Sequence, residues 1–98
     1  MKKISPIHAG EILLEEFMQP LELSQNALAK SLHVTPRRIN EIVNGKRSIT
    51  PDTALRLAKF FGNSAEFWMN LQNKFDLEVA KDTLAKKIDA EVELYQAS

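Results

Sequence analysis

Arg37, Arg38, Lys46 and Arg47 crowd into one short stretch, PRRINEIVNGKR, whose only acid is Glu41. A guanidinium offers a planar fork of N–H donors that matches a phosphate or the major-groove edge of guanine, and an ammonium neutralises phosphate as a point charge. The chemistry available to these residue types is therefore recognition of a polyanion, not bond making. The whole chain is neutral, because 13 Lys and Arg balance 13 Asp and Glu. Only the distribution of charge points to an anionic partner: from Ser24 to Thr50, Lys30 joins the four bases above against Glu41, a local balance of +4. A solvated face without a partner produces clusters of this size too, so the elements that carry the charges must decide.

Other chemistries are poorly supplied. With no cysteine there is no disulfide framework and no thiolate metal site, which fits a reducing compartment. His8, Glu11 and Glu15 share a helical face, but no second histidine is near in sequence to complete a metal set. Glu15 and Glu16 are adjacent and point in different directions, unlike a carboxylate pair built for acid–base work. There is no glycine-rich phosphate loop and no serine on a strand-to-helix elbow, and two isolated histidines make no triad. We expect no enzyme, no cofactor and no metal. The apolar runs are far shorter than the roughly 20 residues a membrane span needs, and Met1 to Lys3 opens no apolar leader segment. A cytoplasmic protein without a membrane partner is the expectation.

At 98 residues, 44% of them hydrophobic, the chain is suited to one small core. Leu, Ala, Glu and Lys recur at helical spacing and no stretch sustains period-two alternation, which predicts an all-α fold of five helices. The first runs from about Ile7 to Met18, with Leu13 and Phe17 on one face and Pro20 as its stop. Ser24 caps a short second helix to about Leu32, with Leu28 and Leu32 inward and Ala29 small enough for a close crossing. Thr35 and Pro36 start the third: the hydroxyl accepts an orphan N–H, and the proline has none to satisfy. Ile39, Ile42 and Val43 are its buried stripe, and Gly45 supplies the left-handed residue that ends it. Thr50-Pro51-Asp52 repeats the signal for a fourth helix burying Ala54, Leu57, Ala58 and Phe61 and closed by Gly62. Asn63 with Glu66 reads as a capping box for a fifth helix, from about Ser64 and able to continue to Tyr95.

Along that last helix the apolar positions are dense at Phe67, Trp68, Leu71 and Phe75. They then thin to Leu77, Ala80, Leu84, Ile88 and Tyr95. The compact domain is accordingly placed at residues 1–77 and an amphipathic helical extension at 78–98. Phe60, Phe61, Phe67 and Trp68 are assigned to the core rather than to a stacking platform, and Met18 and Met69 to filling gaps.

Two short helices joined by Leu32-His33-Val34, the second polar on its outward turns and apolar behind, outline a helix-turn-helix. Pro36, Arg37, Arg38, Asn40, Glu41 and Asn44 face outward on the second of the pair, where its first turns would reach base edges. Ser24, Gln25 and Thr35 stand at helix N-termini, whose free N–H groups suit phosphates. His33 occupies a turn position that usually wants positive φ, a region in which histidine is enriched among non-glycine residues, so its role is read as structural.

The motifs LSQ..LA (Leu23 to Ala29), HV-T...I (His33 to Ile39), NGKRSIT (Asn44 to Thr50), ALRLAKFFG (Ala54 to Gly62) and FW.NLQ..FDL (Phe67 to Leu77) resemble the HigA-type, or VapI-like, antitoxins. These are a branch of the Cro/C1-type (XRE) helix-turn-helix proteins, with a lambda-repressor-like fold. With HAGEILLEEFM in front, the resemblance covers about the first four-fifths of the chain. Two departures are Ala9, where proline usually precedes the glycine, and His33, where the turn commonly has glycine.

The resemblance implies a homodimer that represses its own operon by binding double-stranded DNA at a palindromic operator. It also implies that the protein neutralises a small HigB-type toxin, a ribosome-dependent mRNA endonuclease. Gln25 would then sit on phosphate. Thr35, Arg37, Arg38 and Glu41 would lie at bases and nearby phosphates, Pro36 against a thymine methyl, and Asn44, Lys46 and Arg47 on phosphate beyond the helix, with Ser24 and Asn40 completing the DNA-binding set. Two further readings stay open: a solitary phage-type or metabolic repressor without a toxin, and a protein-binding module that keeps the fold without the DNA face.

Overall fold

His8 decides where the first helix begins. In the computed structural model, which describes residues 5–96, its Nδ1 accepts the N–H of Gly10 at 2.9 Å, and α1 runs over Ala9–Ile12 rather than from Ile7. Met1 to Lys3, considered above for a leader, lie outside the described residues. The continuation Leu13–Met18 is a π-helix, closed by the Gln19 N–H on the Leu14 carbonyl at 2.9 Å. This corrects the expected facing: the wider turn brings Leu13 and Met18 inward together and leaves Phe17 half-buried. Pro20 lies within the turn that follows. There Glu22 takes the left-handed conformation (φ 52°) and the Leu23 N–H returns to the Met18 carbonyl.

The next three helices start where their hydroxyl caps predict. Ser24 Oγ accepts the Ala27 N–H at 3.0 Å at the head of α2, Gln25–Leu32. Thr35 Oγ1 accepts the Arg38 N–H at 3.2 Å at the head of α3, Pro36–Val43. Thr50 Oγ1 accepts the Thr53 N–H at 3.4 Å at the head of α4, Pro51–Phe61. Their ends are equally local. His33 (φ 57°), Gly45 (φ 73°) and Gly62 (φ 75°) all adopt the left-handed conformation. After α3 the Lys46 N–H reaches the Glu41 carbonyl and the Gly45 N–H the Ile42 carbonyl, which is a Schellman closure.

Placing histidine in that conformation costs roughly 1–2 kcal/mol. Glycine removes this strain but returns about 0.5–1 kcal/mol through its freer unfolded chain. His33→Gly is expected to leave DNA binding intact and to hold or slightly raise the melting temperature. Thermal melts and mobility shifts check this, and lost binding in a folded variant would contradict the structural role.

The fifth helix corrects the expected capping box. Ser64 is the cap, its Oγ accepting the Phe67 N–H at 3.0 Å, while Asn63 Oδ1 accepts the Trp68 indole N–H at 2.8 Å. α5 spans Ala65–Glu91 without a break and stops short of Tyr95. Its turns from Lys81 onward are exposed throughout.

The core is built from Leu13 and Met18 of the π turn, Leu28 and Leu32 of α2, Ile39 and Ile42 of α3, Ile49 of the loop before α4, Ala54 and Leu57 of α4, and Trp68 of α5. The aromatic assignment is half right. Trp68 is fully buried and Phe61 half-buried, but Phe60 and Phe67 are 41% and 36% exposed and lean edge-on against Phe61 and Trp68. Phe17 packs against both Trp68 and Phe61, at ring-centre distances of 4.8 and 5.0 Å.

Two contacts fix α3 and the loop after it. A Cβ on Gly10 would coincide with the carbonyl oxygen of Ile42, so α1 and α3 touch backbone to backbone. Gln72 is buried on α5. Its Oε1 accepts the Ile49 N–H at 2.8 Å, and its Nε2 donates to Ser48 Oγ and to Asp76 Oδ1.

Candidate nucleic-acid interface

α2 supports α3 from behind, with Leu28, Ala29 and Leu32 packed in the same core as Ile39 and Ile42. That leaves one long side of α3 facing solvent. Eight residues make a rod about 12 Å long, the width of a B-DNA major groove.

Arg37 projects furthest, with its side chain 83% exposed and its Nε 3.3 Å from Glu41 Oε2, one helical turn along. Arg38 does not project freely as the outward reading had it. Its side chain is only 32% exposed, and Nη1 donates to Asp52 Oδ2 of α4 at 3.1 Å. Asn40 Nδ2 donates to Gln25 Oε1 at 3.1 Å, which joins the exposed turns of α3 to the start of α2. Pro36, Asn44 and Lys46 are exposed. Arg47 folds back over the end of α3, placing Nε at 2.9 Å and Nη2 at 2.8 Å from Glu41 Oε1. Ser24 and Thr35 use their hydroxyl oxygens as acceptors in the caps, which leaves each O–H proton available to an acceptor outside the protein.

The electrostatics follow from these pairs. The hydrogen bond from Arg47, assisted by Arg37, holds the Glu41 carboxyl below the usual carboxylate range, and Arg56 followed by Arg38 does the same for Asp52. Both acids are therefore ionised at neutral pH, and each arginine on this face sits beside a fixed negative charge. Arg56 was not singled out in the sequence. It donates to Asp52 through Nε at 3.0 Å and to the Leu32 carbonyl through Nη1 at 2.8 Å, tying α4 to the end of α2. The four-residue spacing of Asp52 and Arg56 was the available signal.

His8, considered for a metal, is instead part of the packing: besides its cap it lies edge-on to Phe75 at 4.7 Å. Burial pushes its pKa below 6.5, partly opposed by the charge of Asp76. Because the folded value is the lower one, the unfolded chain takes the proton first. This contribution to stability is complete above pH 6.5 and is lost as the pH falls from there through the folded value. The melting temperature is expected to drop between pH 7 and 5.5, and His8→Asn, which keeps a capping acceptor that does not titrate, should flatten that slope in pH-resolved melts.

The helix-turn-helix family matches residues 14–68, from the π turn to the buried tryptophan. Virulence-associated protein I of Dichelobacter nodosus is 57% identical over 75 residues, which span 76% of this chain and 69% of that protein. An addiction module antidote protein of the HigA family from Coxiella burnetii is 52% identical and superposes with a TM-score of 0.88, covering 94% of this chain and 100% of its own. The Pseudomonas aeruginosa antitoxin HigA, solved with the higBA promoter, is 43% identical with a TM-score of 0.90, covering 93% of this chain and 99% of its own. A family span over more than half of the chain, joined to this identity with HigA chains matched over nearly their whole length, places the chain among the HigA-type antitoxins of the helix-turn-helix family, which are DNA-binding regulators and not enzymes.

Proposed function

We propose that this protein is the antitoxin of a toxin–antitoxin pair: a homodimer that enters the major groove of a palindromic operator with α3, represses its own operon, and binds a HigB-type endonuclease toxin. The observation that carries the reading is Arg37, standing 83% exposed at the front of a helix whose rear residues Ile39 and Ile42 are fully buried. Related structures solved with promoter or operator DNA support it. In a two-fold dimer the α3 helices would lie about 34–36 Å apart and enter successive grooves on one side of the duplex.

The DNA-contacting set on this reading is Ser24, Gln25, Thr35, Pro36, Arg37, Arg38, Asn40, Glu41, Asn44, Lys46 and Arg47. Residues 1–77 would form the DNA-binding domain and 78–98 an extension serving the dimer or the toxin. None of the described helices is long and apolar enough to cross a membrane. The setting we propose is the cytoplasm, where operator and message are found.

Arg37 and Lys46 divide the labour. A guanidinium on guanine is worth about 1–3 kcal/mol of discrimination, whereas a phosphate contact weakens all sequences alike and adds about −0.9 to the salt slope. Arg37→Ala is expected to lose operator affinity selectively, and Lys46→Ala to lose affinity equally on operator and random duplex; equal losses for both variants would refute this division. Co-expression with the neighbouring reading frame tests the toxin half, since rescue from growth arrest with co-purification marks an antitoxin. Operator binding without either result marks a solitary repressor.

A further inference from the structure

We infer that Glu41 and Asp52 set DNA specificity on this face, acting through the arginines they hold rather than by reading bases themselves. The inference rests on α3 as the groove-entering helix and goes beyond it by assigning a task to the acids.

Two carboxylates collect four guanidiniums. Glu41 takes Arg47 on Oε1 and Arg37 on Oε2, the first from the loop after α3 and the second from its first turn. Its backbone carbonyl also receives the N–H groups of Lys46 and Arg47, at 2.8 and 3.2 Å, so the loop is wound onto this one residue. Asp52 Oδ2 takes Arg38 from α3 and Arg56 from its own helix, and Arg56 continues to the Leu32 carbonyl. The head of α3, the start of α4 and the end of α2 are thus connected through one carboxylate oxygen.

Exposed ion pairs add little to stability, so folding alone gives such an arrangement small value. Its consequences for DNA are larger. A guanidinium has five donors in a rigid fork. Arg47 uses Nε and Nη2 on Glu41, and Arg37 uses Nε. Each keeps further N–H donors on a side chain that is 83% (Arg37) or 46% (Arg47) exposed, and its bond to Glu41 restricts its orientation, so the ordering cost of binding is reduced where the DNA presents acceptors in register.

On a duplex without those acceptors the same arginines are half-neutralised, and two ionised carboxylates approach the phosphates. Like charges brought together in this way suppress the wrong partner. That repulsion is the same on every duplex, so the acids favour the operator through the arginines they orient, whose matching acceptors offset the repulsion only there. The depressed pKa values of both groups keep this charge in place throughout the neutral range.

The test uses the full chain, the promoter-region duplex and a scrambled duplex of equal length and composition, with Glu41→Gln and Asp52→Asn as shape-conserving variants. Loss of charge at Glu41 is expected to tighten random-duplex binding about five-fold and to weaken operator binding about two-fold, so that the specificity ratio falls about ten-fold. Asp52→Asn should lower the ratio about three-fold, because Arg38 reaches outward less than Arg37. A merely structural role would move the melting temperature and not the ratio. Equal tightening on both duplexes, the mark of net charge alone, overturns the inference, as does an unchanged ratio. Failure of the unmodified protein to distinguish the duplexes overturns the DNA reading itself, and this inference with it.

Discussion

Gly10→Ala is expected to destabilise the fold by about 3 kcal/mol and to abolish tight operator binding, although helix propensity alone predicts the opposite sign. In an ordinary helix, alanine for glycine stabilises by about 1 kcal/mol. Here the new methyl group would occupy the place of the Ile42 carbonyl oxygen, which is backbone and has no rotamer through which to retreat. Overpacking a tight site costs typically 1–3 kcal/mol and sometimes more, so the clash outweighs the propensity gain. The only relief is separation of α1 from α3, which moves the helix that carries Arg37. Thermal or chemical unfolding gives the sign, and a mobility shift gives the functional loss. A melting temperature equal to or above that of the unmodified protein would show that the two backbones do not meet as described.

Gln72→Met should be the second large effect. Methionine keeps the length and volume of glutamine but neither accepts the Ile49 N–H nor donates to Ser48. A buried N–H left without a partner costs about 1–3 kcal/mol, and Ile49 is itself fully buried, so water is not at hand to replace the lost bond. The loss reaches beyond stability, because Ser48 and Ile49 follow directly on Lys46 and Arg47. Loosening them frees the loop proposed to meet phosphate. We expect about 2 kcal/mol off the unfolding free energy and a weaker, less salt-dependent grip on DNA. Unfolding titrations and affinities at two salt concentrations check both, and a variant with unchanged stability would remove Gln72 from its proposed place.

These two residues also show where the sequence stopped being readable. Ser24, Thr35 and Thr50 were legible because a cap is settled within three residues, and Pro36 and Pro51 mark the same points independently. The rear of α3 was legible because Ile39 and Ile42 keep helical rhythm. Gly10 and Gln72 act on residues far along the chain, and nothing in their neighbourhood announces the contact. The π turn at Leu13–Met18 escaped for a different reason: apolar residues at 13, 14, 17 and 18 satisfy the ordinary helical period, and only the packed core selects the wider one.

The same limit applies to the charged face. Arginine on the outward turns was readable from the third helix alone, but the partner of Arg38 comes from the next helix, where Asp52 had been read only as part of a helix-start signal. At Asn63 two local rules competed. A capping box and a serine cap one residue later are both plausible by spacing, and the indole of Trp68 settles the matter by claiming the asparagine oxygen.

That indole has a practical corollary. Trp68 is the chain's only tryptophan, fully buried against Phe17 and Phe61 with its N–H already occupied. Its fluorescence is a built-in gauge of one place, the junction between the fourth and fifth helices. A red-shifted emission would announce water arriving there, while the outer turns of α5 can fray without changing the colour of the light.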